Sequence, residues 1–172
     1  MKLTLTIISF LFAFWANAQE LDIVGYDEIS INEITAKSSE SALLKVFGKP
    51  KSIIEPNYEC GALSPTWNDV DVKLYSWDGI EFHCVDGVLE VGRIDFSKAN
   101  PRIKTKQLTL DKNTKLTELK KAYPNSYKVW EGQKDKGGTS TFYLSTEENS
   151  DSQFHIVIEN GKVIGFELFH PC

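Results

Sequence analysis

The chain has 172 residues and a formal net charge of −5, with 25% charged and 12% aromatic residues. An acidic balance without clustered Lys and Arg argues against nucleic acid as a partner, because neutralising phosphates needs such clusters. After the first residues no stretch is apolar enough to cross a bilayer, so no membrane span is expected.

Residues 1–18 read as a cleavable export signal. Lys2 gives a positive start, residues 3–15 form an uncharged apolar run, and Ala16-Asn17-Ala18 is a small-x-small cleavage site. The apolar run is shorter than the ~20 residues a spanning helix needs. No Cys follows it, which argues against a lipid anchor. The mature chain is expected to begin near Gln19 and to be periplasmic or secreted. Its length of about 150 residues suits one domain or two small repeats.

Residues 19–37 form an N-terminal segment, and two similar stretches follow, 38–100 and 101–172. In the first, residues 39–47 have the spacing of a short amphipathic helix with Leu43, Leu44 and Phe47 on one face. Ser38 or Ser39 offers the cap oxygen, and Gly48-Lys49-Pro50 stops the helix. In the second, Thr114 caps a helix whose stripe is Leu116, Leu119 and Tyr123, and Pro124-Asn125 ends it. A β-prone run comes next in each half, 52–55 and 128–131, and then a polar loop, 56–69 and 132–138. Three strand-like runs complete each half: 70–77, 80–85 and 88–96, then 139–145, 153–159 and 162–169. Asp78-Gly79, Asp86-Gly87 and Asn160-Gly161 are two-residue hairpin turns. The expected fold class is α+β: two tandem repeats of helix plus four-stranded antiparallel sheet.

The turns set the register of the first meander. Tyr75, Trp77, Ile80, Phe82, Cys84, Leu89 and Val91 share one face, and Val72, Leu74, Glu81, His83, Val85, Val88 and Glu90 share the other. Each repeat has one helix, which covers only one of the two faces.

The two helix-plus-sheet copies after an export signal, with the helix exit Phe47-Gly48-Lys49-Pro50, resemble the β-lactamase inhibitor protein family. That family is built of two such repeats. The pattern is also similar to small outer-membrane assembly lipoproteins of the SmpA/OmlA type, which have one. The resemblance spans residues 38–169 and lies in topology and pattern. It implies a binding role through a sheet surface and its loops, without a catalytic centre. The chain departs from both families. It lacks the lipoprotein Cys and has too few cysteines for one disulfide per repeat. Nothing supports β-lactamase as the target.

The three cysteines are Cys60, Cys84 and Cys172. In an oxidising compartment two can pair, and all three pairings stay open to the sequence. Cys60–Cys84 is preferred because it ties a long loop to a nearby strand of the same repeat.

Signals for catalysis are thin. His83 and Cys84 adjoin in a strand, so they point to opposite faces and cannot form a nucleophile pair. His83, His155 and His170 lack metal-ligand spacing, so no metal and no cofactor is expected. Asp69, Asp71 and Asp78 are explained by a strand start and a turn rather than by paired-carboxylate chemistry. Aromatic residues stand out instead, because rings with a polar edge favour interfaces. Trp67, Tyr75, Trp130 and Tyr143 are expected to anchor a protein partner of unknown identity. The expected molecule is a monomeric, non-enzymatic binding module; the alternative is a periplasmic binder of a small ligand or glycan.

Overall fold

The computed structural model describes residues 20–59, 61, 63–64, 68–133 and 138–172. Within them the chain is mixed helix and antiparallel sheet. A short 3-10 turn (Tyr26–Glu28) precedes strands β1 (Ser30–Ile31), β2 (Ile34–Thr35) and β3 (Lys37–Ser39), then helix α1 (Glu40–Phe47) and strand β4 (Ser52–Ile54). The first meander is β5 (Val72–Trp77), β6 (Ile80–Val85) and β7 (Val88–Asp95). Strands β8 (Ile103–Lys104) and β9 (Thr109–Leu110) lead to helices α2 (Leu116–Ala122) and α3 (Pro124–Gln133), and β10 (Thr139–Ser145), β11 (Gln153–Glu159) and β12 (Lys162–Phe169) form the second meander.

The two meanders join edge to edge. Gly165, Phe166 and Glu167 of β12 pair with Asp95, Ile94 and Arg93 of β7, which gives one eight-stranded sheet in the order β10-β11-β12-β7-β6-β5-β4. Strand β3 pairs with the first half of β7, where β12 has already left it. A small sheet, β2-β1-β8-β9, adds Ile31, Ile103 and Leu110 to the core.

Local chemistry explains most of these elements. The Ser39 hydroxyl accepts from Ala42 N at 3.4 Å to start α1, and Gly48 ends it at φ +71°. Asp86-Gly87 and Asn160-Gly161 both take positive φ, as tight hairpins demand, and the register of the first meander is the one the turns dictate.

One expectation fails outright. Residues 128–131 are helical and belong to α3, not to a strand matching β4. Pro124 ends α2 but also starts α3, since proline suits the first helical position. The start of α3 is capped from far away: Asn125 N and Ser126 N both donate to Asp22 Oδ2 at 2.9 Å. Thr114 is likewise not the cap of α2; Lys115 holds that place, and its N–H donates to Glu118 Oε2 at 2.8 Å.

The hydrophobic effect decides which sheet face the helices cover. The face bearing Tyr75, Ile80, Phe82, Leu89, Val91, Phe142, Phe154, Ile156 and Phe166 is buried in a single apolar cluster shared by both halves of the chain. Phe47 of α1 lies 5.9 Å from both Trp77 and Phe82, ring to ring. The more polar face is the other one.

Candidate functional site

On that second face the register sets one residue from each of six adjacent strands in a row. Tyr143 is opposite His155, His155 opposite Glu167, Glu167 opposite Arg93, Arg93 opposite Glu81, and Glu81 opposite Ser76. At ~4.8 Å per strand the row runs about 24 Å. Its middle alternates in sign, and cross-strand pairs of opposite charge are mildly stabilising. One end is aromatic. The His155 ring stacks on Phe169 at 4.8 Å and takes the Tyr143 ring edge-on at 5.0 Å. Phe169 is 43% exposed, unusually open for a phenylalanine.

A buried polar cluster adjoins the row. Glu90 of β7 stands opposite His83 of β6 and Lys37 of β3. The His170 ring, just after β12, pairs Nδ1 with the Ser152 hydroxyl at 2.9 Å and places Nε2 3.7 Å from Glu90 Oε2. His83 Nε2 meets the Tyr58 hydroxyl at 2.8 Å. A β-bulge makes room for this ring: a Cβ at Gly92 would lie 3.0 Å from His83 Cε1. Ser152, His170 and Glu90 stand in line like a hydrolytic relay. The 3.7 Å imidazole–carboxylate gap is an ion-pair distance rather than a hydrogen bond, and the chain works as a tether for residues after β12.

Burial sets the charges here. It is the largest influence on Glu90 and pushes its carboxyl up, but His170, Lys37 and His83 together outweigh it, so the carboxyl titrates below its ordinary 4.5. Burial pushes His83 below 6.5, with Glu90 opposing. His155 is also lowered by burial, against the pull of Glu167 at 3.4 Å. For His83 and His155 burial therefore favours the neutral ring. An unfolded chain takes up these protons at about 6.5 and the folded one resists, so stability falls as pH drops below 6.5. The Glu90 contribution is present above 4.5 and is lost below it. Melting temperatures measured from neutral to acid pH should therefore decline in two stages. His155→Gln should flatten the first stage; an unchanged profile in that variant would refute the assignment.

Of the expected anchors, Tyr143 lies on the open face, at the β10 end of the row. Tyr75 and Trp130 do not. Tyr75 is 5% exposed under α1 and its hydroxyl donates to Glu40 Oε1 at 3.0 Å, because the aromatic face is the one the helix covers. Trp130 is 7% exposed on the inner side of α3, with Nε1–H donating to Ser140 Oγ at 3.0 Å. Trp67 lies outside the described residues. Cys84 is a buried free thiol on the core face, pushed up by burial, so the preferred Cys60–Cys84 pairing is not formed. Cys60 itself lies outside the described residues, and Cys172 is disulfide-bonded. Cys84 and His83 face opposite sides of β6, as alternation requires. Among the described residues no group of three His, Cys, Asp or Glu side chains is arranged to hold a metal ion, and no helix is long and apolar enough to cross a membrane.

Arg93, Glu167 and Phe169 were not singled out by sequence. The only signal for them was their place on the polar side of strands already recognised. Comparison with family models, curated proteins and solved structures finds no match.

Proposed function

We propose that this chain is an exported, non-enzymatic protein-binding module that engages its partner through the polar face of the eight-stranded sheet. The observation that carries this reading is the cross-strand row Tyr143–His155–Glu167–Arg93–Glu81 with Phe169 open at its aromatic end. A flat band that mixes sign-alternating charge with aromatic edges suits a protein surface, where charge sets register and rings supply contact area. Two meanders that each follow a helical segment and meet at β7 and β12 support a tandem origin. In the second half α3 stands where the first has β4. The export signal at residues 1–18 is part of the same reading.

The test is capture from envelope extract by the mature protein and by Arg93→Glu and Phe169→Ala variants. Truncating an anchor costs ~2 kcal/mol or more in affinity, about thirty-fold. Both variants should lose the captured protein while melting within a few degrees of wild type. Capture unchanged in both would remove this face from consideration.

A further inference from the structure

The sheet has two ends, and they differ. At the β10 end the N-terminal segment lies along the strand, with Val24 N donating to Ser145 O at 2.9 Å and Ser145 N to Asp22 O at 3.0 Å. At the other end β4 pairs with β5, and among the described residues no strand pairs with its outer edge. Ser52, Ile53 and Ile54 are all exposed, the two isoleucines by 51% and 52%. An edge strand with exposed isoleucines is a template for another strand.

The sequence around this edge specifies which strand fits. It reads Pro50-Lys51-Ser52-Ile53-Ile54-Glu55-Pro56. Placed antiparallel to a second copy about Ile53, it puts Ile53 against Ile53, Ser52 against Ile54 and Lys51 against Glu55. Pro50 then faces Pro56, outside the ladder at both ends. Proline has no N–H to give, so the two prolines bound a five-residue ladder. Shifting the register two residues either way puts a proline inside the ladder and separates the opposite charges. A two-fold axis perpendicular to the sheet keeps the α1 layers of both copies on one side. There, Leu44, Pro50, Ile53 and Tyr75 line a cleft of about 610 Å³, beside which the second Ile53 would stand.

We infer that β4 is a self-association edge, at which two copies of this chain join antiparallel through residues 51–55 to make one continuous sheet. This departs from the monomer expected from sequence and does not depend on the open-face proposal. Five residues a side bury less than the ~1,600 Å² of a standard interface, so the dimer should be weak. Lys51 already lies 3.2 Å from Asp78 Oδ2, both well exposed, a contact solvent screens and a partner carboxylate can share.

Sedimentation velocity on the mature protein from about 1 to about 500 µM should show a monomer–dimer equilibrium. Lys51→Glu and Glu55→Lys each bring like charges together and should weaken it at least about ten-fold. The double variant restores opposite charges and should recover the wild-type constant. Capture by the open face should be the same in all three. A protein that stays monomeric throughout overturns the inference, and so does a dimer indifferent to these substitutions. If the monomer instead binds another protein in a way that Ile53→Lys abolishes, the edge takes a foreign strand and the second copy is excluded.

Discussion

Trp130→Ala and Tyr75→Ala should each cost about 3–5 kcal/mol of stability, on the scale of large-to-small core substitutions. For a chain of this size that lowers the melting temperature by roughly ten degrees or more. Both side chains are large, almost fully enclosed, and held at their polar edge by a hydrogen bond. Alanine removes the ring, leaves a void, and strands the Ser140 hydroxyl in one case and part of the Glu40 carboxylate in the other. Tyr75→Phe separates the two effects. It keeps the ring and its stack on Trp77, 6.4 Å between centroids, and loses only the bond to Glu40. Its cost should stay near 1–2 kcal/mol, since that bond is to a charged group. Thermal melts of the three variants decide the matter. If the alanine variants melt within two or so degrees of wild type, these rings are not in the core and the packing described for α1 and α3 is wrong.

The meanders were legible because a strand's period of two and its tight turns are local facts. Asp86-Gly87 alone fixes Cys84 against Leu89 and Phe82 against Val91, and the structure has both pairs. The face assignment followed from the same register, but the choice of covered face did not. Pattern alone left undecided which face is covered and set Tyr75 at the interface, whereas burying Tyr75, Phe82 and Leu89 under α1 removes far more apolar surface from water. Helix α3 was missed for a related reason. Lys128-Val129-Trp130 is β-prone taken alone, and what makes it helical is supplied elsewhere: a carboxylate from Asp22 at the helix start and an inner face that receives Trp130. Propensity is a weak prior, and tertiary contacts override it. The small sheet of two-residue strands β1, β2, β8 and β9 has too short a pattern to read by periodicity. The polar cluster joins His83 of β6, Glu90 of β7 and His170 just after β12. It required knowing that β12 leaves β7 and β3 takes its place.

Cys172→Ser should be the other strongly destabilising change, and Cys84→Ala a mild one. Cys84 sits opposite Leu89 on the core face, 7% exposed and outside any disulfide, so its thiol behaves as a small apolar group. Cys172 is disulfide-bonded, and a chain with three cysteines leaves Cys60 as the partner to expect. The neighbourhood agrees: a Cβ at Gly61 would stand 2.7 Å from Pro171 O and 3.6 Å from Cys172 Cα. A bond between residues 60 and 172 closes most of the described chain into one loop. Loops of about 100 residues gain the most from such closure, and removing the bond should cost on the order of 2–5 kcal/mol. The loss reaches the polar cluster as well, since His170 is two residues from the bond and contacts Glu90. Non-reducing peptide mapping should yield a linked peptide carrying Cys60 and Cys172, with Cys84 alkylated only after unfolding. Cys172→Ser should melt well below wild type and lose part of its acid-dependent stability step below pH 4.5, because Glu90 no longer has a fixed His170 beside it. A linked peptide joining Cys60 to Cys84, or a Cys172→Ser variant as stable as wild type, would show that the C terminus is not stapled to the first half of the chain, and a Cys84–Cys172 peptide would overturn the burial of Cys84 as a free thiol.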